Sequence, residues 1–145
     1  MFAANQPCRP VAHAVFSTLL ALLALHPSQA GAAAAATTTT LAITSGTGTV
    51  TTVSSGTAVT LTATVKAGTA AVPLGVVKFC DASAAHCTDI HLLGTGLLSA
   101  GSAVFKFVPG PGVHSYKAEF AGTTADAASS SAAASTTEGF NVIIV

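Results

Sequence analysis

The sequence predicts an all-β chain that folds as an antiparallel β-sandwich of about seven strands. Short apolar runs recur along most of its 145 residues, with Gly, Pro and Ser turn signals roughly every 8–12 residues. Within these runs, apolar and polar residues alternate with a period of two, as expected for strands with one buried face. After Ala30 no segment shows the 3.6-residue periodicity of an amphipathic helix.

The segment 1–30 is predicted to be a secretory signal peptide. Arg9 supplies a positive start, and Val11–Leu25 is an apolar run that is short for a membrane span. Ser28 and Ala30 provide small residues at the −3 and −1 positions of a cleavage site. The alternative is an uncleaved N-terminal anchor.

Residues 31–40 are predicted to be a flexible Ala- and Thr-rich leader, and residues 41–145 a single sandwich domain. The four threonines at the end of the leader favour extended backbone and lead into the first strand. That strand begins with Leu41 and Ile43, which alternate with Ala42 and Thr44.

The clearest strand is Thr57–Val65, where apolar residues and threonines occupy opposite faces. The next is Val76–Cys80, with Val77 and Phe79 directed inward. A run over Ile90–Leu98 has no clear phase, because its two glycines can mark a bulge or bend.

Two further strands are predicted, over Ser102–Val108 and Val113–Phe120, with a Pro-Gly-Pro-Gly breaker between them. The final apolar run is Phe140–Val145. The polar stretch before it lacks the alternating aliphatic residues of a regular strand. This leaves open whether the last strand is displaced or the chain is a piece of a longer one.

Charge excludes several partners. After residue 30, four lysines oppose five acidic residues, so the net charge is 4 − 5 = −1. No basic patch for nucleic acid or anionic lipid is present, and no later segment is long enough to cross a membrane.

Cys80 and Cys87 are predicted to form a disulfide, because they are the only cysteines after the signal peptide and exported chains meet oxidising conditions. One alternative is a metal site that includes His86, Asp89 or His91. Zinc thiolate sites, however, favour closer cysteine spacing and four ligands. A redox-active pair is disfavoured, because the spacing is not Cys-x-x-Cys.

No catalytic motif is recognisable. His86, His91 and His114 are isolated, the few carboxylates are scattered, and the glycine-rich stretches lack the lysine of a phosphate loop. We therefore expect no catalytic residues, no cofactor and no metal.

The segment from Gly75 to Ser131 resembles bacterial immunoglobulin (Ig)-like repeat domains. The resemblance is carried by Gly75, Phe79, the Leu93-Gly94 and Gly101-Ser102-Ala103 motifs, and the run GVHSYKAEFAG over 112–122. It covers about Thr38 to Ala134 and implies an Ig-like sandwich, although such domains usually occur in tandem.

Tyr116 resembles the tyrosine corner of Ig-like sandwiches, where the ring packs inward and the hydroxyl bonds backbone near the preceding connection. A catalytic or sugar-binding tyrosine is the alternative. Its inward position in the strand pattern favours the structural role.

The resemblance implies a non-catalytic, secreted or cell-surface module that acts as a spacer or adhesion domain. Its expected partners are other Ig-like domains or surface proteins and polysaccharides. The alternative function is a binding module for surface polysaccharide or a protein ligand. Most aromatic residues have inward parity, so few remain for a sugar-stacking platform.

Overall fold

The structure is a computed structural model that describes residues 32–46 and 48–139. The predicted signal peptide and the apolar run 140–145 lie outside these residues. No helix of the described part is long and apolar enough to span a bilayer. The strands are β1 (Thr37–Ser45), β2 (Gly48–Thr49), β3 (Thr52–Ser54), β4 (Val59–Ala67), β5 (Ala70–Ala71), β6 (Val76–Asp81), β7 (Leu92–Leu97), β8 (Ser102–Phe107), β9 (Gly112–Phe120), β10 (Ser129–Ser130) and β11 (Ala134–Gly139).

The strands form two sheets that pack as a sandwich. In the first sheet β2, β1 and β4 are neighbours, and β5 and β8 also pair with β4. In the second sheet the order is β3-β11-β9-β6-β7, and β10 also pairs with β9. The predicted all-β sandwich is confirmed. Short β2, β3, β5 and β10 are additions to the predicted set of about seven strands.

The alternation of aliphatic residues and threonines in β4 gives the first sheet one buried face and one exposed face. Val59, Leu61, Ala63 and Val65 have no exposed surface, and the threonines between them are partly exposed. Because successive side chains of a strand point to opposite faces, the aliphatic set enters the core and the threonine set faces outward.

The core is aromatic where the two sheets meet. Phe79 stacks on Phe105 with ring centroids 5.8 Å apart, and Phe105 stacks on Phe107 at 5.6 Å. Phe79 from the second sheet is fully buried, as is Phe120. Burying each such ring contributes roughly 2–3 kcal/mol, so these contacts add to the attraction that the buried aliphatic side chains provide between the sheets.

Two glycines explain why the phase of β7 is unclear in the sequence. A Cβ on Gly94 would lie 2.3 Å from Cε2 of Phe105, and one on Gly96 would lie 3.2 Å from Cε2 of Phe79. The glycines therefore face inward, where the rings leave no room for a side chain. Leu97, by contrast, faces outward and is 77% exposed. Opposite Gly94, the register shifts between Phe79 and Cys80, which is the irregularity that the glycines suggested.

The first strand begins earlier than predicted. β1 starts at Thr37, not at Leu41, so the threonines at 37–40 belong to the sandwich and not to a leader. The hydroxyl of Thr37 donates to the carbonyl of Ala127 at 2.7 Å, and Thr39 is buried against Ser129 with 2.7 Å between their hydroxyl oxygens. These bonds tie the threonine run to the second sheet.

The closing strand is polar, which the sequence pattern did not indicate. β11 spans Ala134–Gly139 and buries Thr136 and Glu138. It pairs antiparallel with β9 and parallel with β3. The predicted last run, 140–145, lies outside the described residues.

Candidate functional site

The loop that joins β6 to β7 is fixed by a disulfide. Cys80 lies in β6, Cys87 lies in the loop, and the two are bonded with their Cα atoms 5.4 Å apart. The disulfide predicted from the sequence is therefore present. Both cysteines are almost fully buried, since the loop folds over the outer side of the second sheet.

Hydrogen bonds hold the same loop at several further points. Asp81 accepts from the backbone N–H of Ser83 at 2.8 Å and from its hydroxyl at 2.7 Å. The ammonium of Lys117 donates to the carbonyl of Ala84 at 2.6 Å. The loop is thus anchored to β6 and β9 by polar contacts as well as by the covalent bond.

Three ionisable side chains, Asp81, His91 and His114, lie beside this loop. Hydrogen bonds from Ser83, helped by the charges of His91 and His114, hold the pKa of Asp81 below its usual value. His114 itself contacts the carbonyl of Gly110 through Nε2 at 2.8 Å. The structure thus places His91 and His114 near Asp81, whereas His86 contributes no such interaction.

The loop ends in a short 3-10 helix, Asp89–His91, which presents one exposed apolar side chain. Ile90 is 92% exposed. Asp89 has a φ of 54°, a left-handed conformation that is uncommon for a residue other than glycine. The loop that the disulfide holds therefore presents an apolar tip to solvent.

Tyr116 is buried in β9. Its ring meets Phe107 edge-on, with centroids 5.3 Å apart, and stacks on His114 at 6.1 Å. Burial of the phenol, with smaller contributions from the negative charges of Asp81 and Glu138, raises the pKa of Tyr116 to about 12. No hydrogen bond joins its hydroxyl to another residue in 32–46 or 48–139, so the tyrosine corner stays a prediction.

Glu138 is a buried carboxylate that the sequence did not single out. Its Oε1 accepts a hydrogen bond from the backbone N–H of Gly56 at 2.6 Å, while Oε2 is buried without a partner in the described part of the chain. This bond fixes the turn between β3 and β4 against the closing strand.

One group has the composition of a metal site. The Sγ atoms of Cys80 and Cys87 and a carboxylate oxygen of Glu119 lie within 4.8 Å of one another. Metal ions bind the thiolate form of cysteine. Because both sulfurs are used in the disulfide, the oxidised protein offers only the carboxylate of Glu119 here.

Each sheet carries an open groove on its outer side. On the second sheet a space of about 430 Å³ is lined by residues that include Lys78, Glu119 and Ser130. On the first sheet a space of about 440 Å³ is lined by Thr38, Thr40, Thr64, Lys66 and Gly68. The groove on the first sheet has the more uniform lining, since four of its five lining residues are threonine or lysine.

The family is decided by a comparison with protein-family models. The model for the bacterial Ig-like domain (group 3) matches residues 47–138. The chain belongs to this family. No curated protein and no solved structure gives a significant match.

Membership of the bacterial Ig-like family indicates a structural or binding module. Domains of this family are generally non-catalytic and are often extracellular, which agrees with the disulfide. The aromatic residues of this Ig-like domain serve the core: Phe79, Tyr116 and Phe120 are buried, and Phe105 and Phe107 pack against them. Among the described residues, no exposed aromatic platform for stacking sugars is present.

Proposed function

We propose that this chain is a non-catalytic, exported Ig-like module that acts as a structural spacer or adhesion domain. Family membership supports a structural role, and a disulfide is stable in oxidising compartments. The observation that carries the proposal is the way in which the closing strand pairs with β3.

The pairing of the closing strand supports a role in resisting tension along the chain. β11 pairs in parallel with β3 through Thr137 opposite Thr52 and Gly139 opposite Ser54, and the N–H of Thr137 donates to the carbonyl of Thr51 at 2.9 Å. Tension from the N-terminal side reaches β3 through β1, which pairs antiparallel with β4, and tension from the C-terminal side reaches β11 directly. The parallel pair of β3 and β11 is then pulled in opposite directions along its length. Their hydrogen bonds are then loaded together and not one after another, which suits a spacer under tension.

Single-molecule force measurements on the domain, held at its two ends, test this role. Thr137→Pro removes the N–H that bonds Thr51, so the unfolding force should fall clearly below that of the wild type. The matched control is Thr49→Pro in the two-residue strand β2, which should change the force little. Equal forces for the two variants would contradict the proposal.

The alternative is a binding module for a surface polysaccharide. The observation that favours it is the hydroxyl-rich outer side of the first sheet.

A further inference from the structure

The outer side of the first sheet carries a regular array of hydroxyl groups. Six threonines on two paired strands form it: Thr38, Thr40 and Thr44 on β1, and Thr60, Thr62 and Thr64 on β4. We call this surface the hydroxyl face. All six side chains are exposed or partly exposed, because the intervening residues of both strands turn inward.

The register places these hydroxyls side by side. Thr40 lies opposite Thr64, and Thr44 lies opposite Thr60. Their bonds within the protein are long: the Thr40 hydroxyl is 3.5 Å from the carbonyl of Thr64, and the Thr44 hydroxyl is 3.4 Å from that of Thr60. The other four hydroxyls bond no residue of the described part of the chain, so the array is available to a ligand.

A lysine stands at each end of the hydroxyl face. Lys66 pairs with Thr38 at one end, and Lys106 pairs with Thr60 at the other. Since a strand rises about 3.4 Å per residue, the register positions of the two lysines are separated by roughly 20 Å along β4. No acidic residue belongs to β1, β4 or β8, so the face is purely positive.

This spacing indicates what kind of polymer fits. Nucleic acid carries a phosphate about every 3.4 Å along each strand, which is far denser than two lysines separated by threonines. A peptide that adds a strand needs a free sheet edge, and this surface is a face. A polysaccharide with widely spaced carboxylates matches this face. It offers a negative charge for each lysine, and between the charges it offers hydroxyl groups for the threonines.

We propose that the hydroxyl face binds an extended uronic-acid polysaccharide. The chain lies along β4, its carboxylates meet Lys66 and Lys106, and its hydroxyls exchange hydrogen bonds with the threonines between them. This role adds a ligand to the module and does not depend on its resistance to tension. The groove of about 440 Å³ lined by Thr38, Thr64 and Lys66 lies at the Lys66 end of this path.

Titration of ¹⁵N-labelled protein, as purified from its host, with a hyaluronan octasaccharide tests the proposal by NMR. The amide signals of Thr60, Thr62 and Thr64 should shift, and added salt should weaken the binding. Lys66→Gln and Lys106→Gln should each raise the Kd roughly two- to fivefold, as expected for an exposed ion pair. Lys78→Gln on the other sheet is the matched control and should leave the Kd unchanged.

A second ligand and a second variant complete the test. Carboxyl-reduced hyaluronan should bind far more weakly, and Thr62→Val, which keeps the side-chain shape, should weaken binding of the acidic form. No shifts at any attainable concentration would overturn the proposal. So would equal binding of both polymers, or a Lys78→Gln effect as large as that of Lys66→Gln. The force measurement above is unaffected by any of these results.

Discussion

The outer faces of the two sheets differ in almost every respect. Within residues 32–46 and 48–139, no segment covers the hydroxyl face of the first sheet, and the charges on that face are all positive. The outer face of the second sheet is covered at one end by the Cys80–Cys87 loop and carries both charges, including the ion pair between Lys117 and Glu119 at 3.2 Å. The core between them is shared, so the difference comes from the outward residues alone.

The outward residues of the second sheet mainly stabilise the fold, whereas those of the first sheet are proposed to bind a ligand. On the second face, three conspicuous residues are used internally: Cys80 and Cys87 bond each other, and Lys117 binds the carbonyl of Ala84. On the first face, the outward threonines make few internal bonds. Substitutions on the second sheet should therefore change stability, and those on the first face should chiefly change binding.

The largest expected effect concerns the disulfide. Replacing Cys80 and Cys87 together by Ser should lower the free energy of unfolding by about 2–3 kcal/mol, because the unfolded chain regains the freedom that the closed loop removes. Chemical denaturation under oxidising conditions measures this. The control is Thr40→Ser with Thr64→Ser on the hydroxyl face, which should cost far less; equal losses would break the distinction between the faces.

A glycine of β7 gives the next largest effect. Gly94→Ala places a Cβ against the ring of Phe105 and should destabilise the fold by about 1–3 kcal/mol, as overpacked cores do. Gly48→Ala is the control, since a Cβ there meets nothing within 4 Å. Thermal unfolding of the two variants measures the difference. A Gly94→Ala protein as stable as Gly48→Ala would mean that β7 does not face Phe105.

Alkaline pH tests the burial of Tyr116. The neutral phenol is favoured in the folded state, so its contribution is fully present below the ordinary pKa of 10.0 and is lost as pH rises toward about 12. Stability measured across this window should fall less steeply in Tyr116→Phe than in the wild type. Identical slopes would show that the phenol is not protected by burial.

The smallest effect belongs to the hydroxyl face. Thr62→Val keeps the branched shape and removes a partly exposed hydroxyl, so the free energy of unfolding should change by no more than about 0.5 kcal/mol. Urea denaturation checks this value. A loss of the size expected for the disulfide would place Thr62 in the structural framework and not on a free surface.

The strands with strict alternation could be predicted from the sequence, and those without it could not. In β4 and β9 mainly apolar residues occupy every second position. Both the strand and its buried face could therefore be predicted from the residues. In β7 the inward positions are glycines, and only the rings of the facing sheet explain them. The inward positions of β11 are polar, and Glu138 is explained by its bond to Gly56, which is distant in sequence.

The candidate sites, like the strands, could be predicted from the sequence only in part. The disulfide could be predicted from the even number of cysteines after residue 30 and from the predicted export of the chain. The outward parity of Thr60, Thr62 and Thr64 is also visible in the sequence. The hydroxyl face is not, because it requires the register of β4 with β1, which only the folded chain sets.

We propose export of this Ig-like module with the disulfide between Cys80 and Cys87 formed. Its most direct test is the intact mass of the protein from the culture medium or cell surface, after alkylation of free thiols without reduction. We expect a chain that begins at Gly31, carries no alkyl group, and gains two alkyl groups when it is reduced and then alkylated. A chain that retains residues 1–30, or one alkylated at both Cys80 and Cys87 before reduction, would contradict it.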